Sequence, residues 1–276
     1  MSNESQRTKE KAFEKLQLKD DFMFGVIMHN QKYCKPFLER ILNISISCIE
    51  YSDAQRTIDL SSDAKSVRLD IYVEDGKNTV YNIEMQTGGK VNLPKRTRYY
   101  QGMIDLSILE KGADYRNLKQ SIIIFVCTFD LFGEGRHIYT FENRCIENFN
   151  LGLGDATTKI ILNTKGIMDD VTPGMKNLLD YIDGRPPRDT FTKELDDAVQ
   201  SVRKNEKWRL DYMTLQMKYD EKFEEGMECG IEQGIERGKL QGAILTMDEL
   251  GYSVSEIAER LNQKEEKVIE ILKQVH

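Results

Sequence analysis

Histidine is scarce in this chain: His29, His137 and His276 are the only three in 276 residues, with no H-x-x-x-H spacing and no cysteine cluster beside them. A zinc site or a histidine-centred triad has little to be built from, so catalysis here would run on carboxylates. The five cysteines, Cys34, Cys48, Cys127, Cys145 and Cys229, are an odd set without two-residue pairing. They read as small buried hydrophobes in a reducing compartment, not as a disulfide framework. No apolar run approaches the roughly 18 residues needed to cross a bilayer, and "MSNESQRTKEKAFEK" is polar. The expectation is a cytoplasmic protein with no membrane partner. Base is short as well, since 39 Lys and Arg against 46 Asp and Glu leave a net charge of −7, a poor global match to phosphate. The acid is unevenly spread, however. "KYDEKFEEGMECGIEQGIER" is strongly acidic, whereas "GGKVNLPKRTRYY" carries Lys90, Lys95, Arg96 and Arg98 without an acid, so a local basic patch survives.

What is present reads as alternating strands and helices. Phe22, Val26, Phe37, Leu38, Ile41 and Leu42 recur at helical spacing with a break near His29 to Gln31, predicting two short helices after a loose or helical N-terminal arm. "ISISCIEYS" predicts a strand, and residues 94–111 a helix that Pro94 opens and Gly112 closes. "SIIIFVCTF" is apolar throughout and too short for an ordinary helix, which predicts a central strand covered on both faces. "RHIYTFE" and "TKIILNT" are further strands and "PGMKNLLDYIDG" a short helix, giving an α/β sheet flanked by helices. Beyond "GRPPRD" everything reads as helix, so a boundary is expected near residue 185.

Two runs carry the chemistry. Val67, Leu69, Ile71 and Val73 alternate with Arg68, Asp70, Tyr72 and Glu74, and Tyr81, Ile83 and Met85 alternate with Asn82, Glu84 and Gln86. Each predicts a half-buried strand, with "EDGKN" as the turn of a hairpin. For both apolar sets to reach one core, Arg68, Asp70, Asn82, Glu84 and Gln86 must share the opposite face. A two-residue Asp75-Gly76 turn would pair Asp70 with Tyr81 and spoil this, so the loop should have an odd number of residues, about three or five. Asp70 then stands opposite or diagonal to Glu84. Two neighbouring carboxylates either face water as ordinary surface acids or share a hard cation such as magnesium, manganese or calcium. Spacing alone leaves both open.

"LKDDFMFGVIMHN", "RLDIYVEDGKNTVYNIEMQ", "LPKRTRYYQGMID" and "KGADYRNLKQSIIIFVCTFDLF", in that order, resemble the Rpn-type recombination-promoting nuclease and transposase family, a branch of the PD-(D/E)XK nuclease superfamily, over roughly residues 16 to 180. The resemblance implies a restriction-endonuclease-like core with a mixed central sheet. It also implies a Mg2+ (or Mn2+) ion held by Asp70, Glu84 and the Met85 backbone carbonyl, with Glu39 as the helix-borne acid by position. Gln86 would occupy the place of the superfamily lysine. Glutamine can orient a water but cannot take its proton or bring charge, so Lys90 or Arg68 would have to supply charge near a phosphate. The expected reaction is DNA phosphodiester hydrolysis by an endonuclease associated with recombination or mobile elements. The alternative is a non-catalytic DNA- or partner-binding protein that works through its helical tail.

The helix opening at Pro94 should add phosphate contacts through Lys95, Arg96 and Arg98 and its N-terminal dipole. Tyr99 and Tyr100 are candidates for stacking on or donating to the DNA backbone; the alternative is that Arg98 pairs with an acid and both tyrosines belong to the core. Residues 1–185 would then be the nuclease-like domain and 186–246 a long helical segment with glycine at 226, 230, 234, 238 and 242. That segment is either a homodimer contact or a spacer. Residues 247–276 read as a small helix-turn-helix-like hairpin with Ser253 and Glu256 in capping-box spacing. Its second helix opens on "KEEK", a weak beginning for a DNA-reading helix.

Overall fold

The computed structural model describes residues 12–51, 57–58, 67–68, 70–88 and 92–275, with backbone alone for 57–58, 67–68 and 274–275. Most of the expected N-terminal arm lies outside these residues. Two compact units divide the chain, residues 1–210 and 211–276.

The first unit opens with α1 (Asp21–Met28) and α2 (Gln31–Leu42). α1 buries Met23, Phe24, Ile27 and Met28, while Phe22 and Val26, expected inside, are only half-buried. "DFMFGVIM" is apolar on nearly every side, so periodicity could not single out its inner face. Three short strands follow: β1 (Ile49–Tyr51), β2 (Thr57–Ile58) and β3 (Val67–Arg68). The strand expected across "ISISCIEYS" is thus only its last part. β4 (Ile71–Asp75) and β5 (Val80–Gln86) form an antiparallel hairpin that pairs Ile71 with Ile83, Tyr72 with Asn82 and Glu74 with Val80. Its loop is the three residues Gly76, Lys77 and Asn78, of the odd length the sequence requires, and Asn78 takes the left-handed position at φ 60°. Asp75 locks the turn: Oδ1 accepts from the Lys77 and Thr79 N–H groups at 2.8 and 2.9 Å, and Oδ2 from the Tyr81 hydroxyl at 2.8 Å. A Cβ on Gly76 would lie 3.1 Å from Ser47 Oγ and 3.2 Å from Cys48 Sγ, so a larger residue there would push these two side chains aside by a few tenths of an ångström.

After the hairpin come α3 (Leu93–Ile108), β6 (Ser121–Cys127), β7 (Ile138–Phe141) and β8 (Thr157–Asn163). The sheet order is β1-β4-β5-β6-β8-β7, with parallel pairing of β5 to β6 and of β6 to β8 and antiparallel pairing elsewhere. β6 is buried at every residue, as its continuous apolar run predicts. β5 departs from expectation. It was to be half-exposed, yet Val80 to Met85 are all buried. The cause is α3, whose Leu93, Met103 and Ile104 pack on Tyr72, Val80, Ile123 and Phe125 and roof the face that carries Asn82, Glu84 and Gln86. α1 packs against β5 as well, and Tyr81, Ile83 and Met85 are the buried residues of the alternate set.

α4 (Pro173–Ile182) and α5 (Thr190–Arg203) complete this unit. α5 is tied in by Arg40 of α2, which donates to Asp189 Oδ2 at 2.7 Å and lies over the Phe191 ring at 4.8 Å. The change to helix near residue 185 is therefore a change of secondary structure, and the compact unit continues past it. Of the cysteines, Cys34 and Cys127 are buried as expected, but Cys48 and Cys229 are exposed and Cys145 is intermediate, and all five are unpaired. Short apolar neighbourhoods at Cys48 and Cys145 did not translate into burial.

α6 (Glu206–Glu249), 44 residues and about 66 Å long at 1.5 Å per residue, leads into the second unit. A methyl group placed on any of its five glycines would meet nothing within 4 Å, and Phe223, Met227, Ile231 and Ile235 are exposed along it. Its end packs with α7 (Val254–Arg260) and α8 (Glu265–Val275) around Ile244, Ile257, Ala258, Val268 and Ile271. The expected capping box is formed: Ser253 N–H donates to Glu256 Oε2 at 2.8 Å, and Glu256 N–H to Ser253 Oγ at 3.4 Å.

Candidate active site

The hairpin register continues from Ile71 and Ile83 to place Asp70 beside Glu84. Two hydrogen bonds fasten them. Asp70 N–H donates to Glu84 Oε1 at 3.1 Å, and Met85 N–H donates to Asp70 Oδ2 at 3.2 Å. Glu84 is only 3% exposed, which excludes the surface-acid alternative for this residue. Its Oε1 also accepts from Asn82 Nδ2 at 3.2 Å, and its Oε2 stands 3.9 Å from Arg96 Nη2. Burial, followed by the Asp70 charge, pushes its carboxyl well above the glutamate range, and the donors from Asp70 and Asn82 and the charge of Arg96 offset that only in part.

Gln86, the last residue of β5, has both ends of its amide engaged. Nε2 donates to the Gly88 carbonyl and Oε1 accepts from Arg96 Nη1 at 2.6 Å. Arg96 lies in the first turn of α3, donates to the Tyr100 hydroxyl at 3.0 Å and sits over the Tyr100 and Phe125 rings, each at 5.4 Å. Burial and the Glu84 charge raise the Tyr100 hydroxyl. Burial likewise holds the Cys127 thiol up at about 12, so this neighbour of Gln86 in the sheet is an inert thiol.

The other expected residues divide. Arg96 joins the acids, whereas Lys95, Arg98 and Tyr99 are exposed on α3. Lys90 and the Arg68 side chain lie outside what the structure describes. Glu39 is engaged elsewhere: its Oε1 accepts from Ile46 N–H at 2.8 Å and lies 3.4 Å from Lys35 Nζ, closing the loop after α2. One acid escaped the sequence reading. Asp21, the exposed first residue of α1, is within electrostatic reach of Arg96, and partial desolvation followed by the Asp20 charge raises its carboxyl. The signal was the "DD" pair at a helix start, where acids are common for reasons of the helix dipole alone.

The donor set suits a hard divalent cation. Two carboxylates meet at a strand junction, and a positive charge there would offset both the burial and the mutual repulsion that hold Glu84 high. N–H and C=O of one strand residue point the same way, so the Met85 carbonyl leaves β5 on the edge where its N–H meets Asp70. Asn82 Oδ1 is a further buried oxygen beside Glu84, and it has no hydrogen-bond partner. Among the described residues no group of three or more His, Cys, Asp or Glu gathers as a metal cluster. The fit thus rests on two carboxylates and neutral oxygens.

A search of curated proteins and of solved structures found no match. A family model described as PD-(D/E)XK nuclease family transposase matches residues 19–150. That stretch contains Asp21, Asp70, Glu84, Gln86 and Arg96, and the mixed sheet with flanking helices agrees with it. Residues 19–150 of the chain are thus similar to the PD-(D/E)XK nuclease family of transposases.

Proposed function

We propose that this protein is a divalent-metal-dependent DNA endonuclease acting on mobile or recombining DNA, with Asp70, Glu84 and the Met85 carbonyl as ligands for Mg2+ or Mn2+. The observation that carries this reading is the nearly complete burial of the Glu84 carboxylate against Asp70, with the Arg96 guanidinium 3.9 Å away. Protein interiors rarely hold such a pair without a compensating charge. A bound divalent ion would supply Lewis acidity and lower the pKa of water at the phosphate. The chain's own contribution is to fix the acids through strand register, exclude bulk water under α3, and present Lys95, Arg98 and Tyr99 on the exposed side of α3 to the DNA backbone. Arg68, two residues before Asp70, and Lys90, four residues after Gln86, belong to the same proposed contact set. The reaction is hydrolysis, and nothing in this site calls for strand joining.

No helix among the described residues is long and apolar enough to cross a membrane. Five unpaired cysteines support a cytoplasmic setting.

The test is plasmid nicking in Mg2+ or Mn2+ by wild type, Asp70→Ala and Glu84→Ala. Wild type should nick and both variants should lose roughly 100-fold or more, about the cost of removing a principal electrostatic group from a transition state. Equal nicking by all three would overturn the assignment and favour the binding-protein alternative.

A further inference from the structure

Position 86 ends an E-x-Q segment, and its side chain carries no charge. Its orientation is dictated: a guanidinium offers only donors, so the Gln86 oxygen must face Arg96 and its nitrogen must face the Gly88 carbonyl. An amide tied at both ends is poorly placed to orient a water. What it does is hold Arg96. The Arg96 side chain is 39% exposed and spends one donor on Gln86 and one on Tyr100, leaving other N–H groups of its fork available. Stacking on Tyr100 and Phe125 fixes the plane of the guanidinium. Neutralising Glu84 does not account for this arrangement. The 3.9 Å approach to Oε2 is longer than a hydrogen bond, and the better contacts go to neutral partners.

We infer that Arg96 supplies the positive charge that a lysine at position 86 would carry, by contacting a non-bridging oxygen of the scissile phosphate, and that Gln86 is a positioning residue that aims it. This rests on the metal-nuclease reading above. Arginine suits the role because its fork matches phosphate geometry and its charge does not titrate in a protein. It serves as an electrostatic group and not as a proton acceptor.

The test compares wild type, Arg96→Gln, Arg96→Lys, Gln86→Ala, Asp70→Ala and the double variant Gln86→Lys/Arg96→Gln. Single-turnover plasmid cleavage in saturating Mg2+ is read beside Mn2+ affinity without DNA and thermal unfolding. Arg96→Gln should slow cleavage at saturating DNA by roughly 100-fold while Mn2+ affinity holds or rises, because a competing cation beside Glu84 has gone. Gln86→Ala should slow cleavage less, and Arg96→Lys should retain part of the rate. The double variant should recover at least about tenfold over Arg96→Gln, the effect of returning about 1.4 kcal/mol of charge stabilisation from the strand. A merely structural arginine would not be rescued from position 86.

Wild-type cleavage by Arg96→Gln, with Asp70→Ala inactive, overturns this inference alone. So does a folded double variant without recovery, or a loss of Mn2+ affinity in Arg96→Gln equal to that in Asp70→Ala. Full cleavage and undiminished Mn2+ binding by Asp70→Ala would instead remove the metal-site reading and this inference with it.

Discussion

Glu84 is held in an environment that suits its charge badly, and such positions trade stability for function. Replacing the carboxylate with an amide keeps the shape and removes both the burial penalty and the repulsion from Asp70. Glu84→Gln should therefore be more stable than wild type in the absence of divalent ions, by about 1–2 kcal/mol, and unfold at higher temperature. It should also lose the stabilisation that Mn2+ gives wild type through binding the folded state. Differential scanning calorimetry with and without Mn2+ reads both effects, and a less stable metal-free variant would show that the carboxylate is held favourably after all. The neighbouring cations teach a different lesson. Lys95, Arg96 and Arg98 looked equivalent on paper because helical geometry spreads adjacent positions around the axis. Only packing on Phe125 and Tyr100 selects Arg96 as the one that turns to the acids.

At the scale of elements, the hairpin turn depends on a titrating group. Burial alone would raise the Asp75 carboxyl, but the Thr79 N–H, Tyr81 hydroxyl and Lys77 N–H prevail and lower it in the folded chain. A folded pKa below the unfolded one gives stability that is present above the ordinary aspartate range and lost as pH falls through the folded value. Asp75→Asn should accordingly be less stable than wild type at neutral pH and should lack that acid-range component, as urea midpoints taken between pH 7 and pH 3 would register. The register this turn enforces was readable from the alternation of Val67 to Val73 and Tyr81 to Gln86 together with the demand for one shared core. The roof over it was not. Polar residues at every second position look the same whether they face water or lie under a helix beside a binding site, and only the contacts of α3 distinguish the two. β6, with no polar alternation, had no such ambiguity.

In the second unit and the helix that leads to it, backbone cost is the open question. Alanine is favoured over glycine in a helix by about 1 kcal/mol, and methyl groups at Gly230 and Gly234 would meet open space. Gly230→Ala/Gly234→Ala should thus raise the helical signal and the unfolding temperature of the isolated chain. If Met227, Ile231 and Ile235 seat a second copy against these glycines, the same change should weaken association in sedimentation equilibrium. Unaltered association would leave the segment a spacer.

Across the whole molecule, two acids separated by thirteen residues act together only because the Gly76-Lys77-Asn78 loop has an odd count. A strand has two sides, so adding or removing one residue in that loop would send one carboxylate under the α3 roof and turn the other toward the opposite layer, while the apolar runs would lose their common core. Two residues could be inserted without changing sides. The proposed nuclease chemistry of this chain is in that sense written in parity, and length variation in the β4–β5 turn is constrained in steps of two.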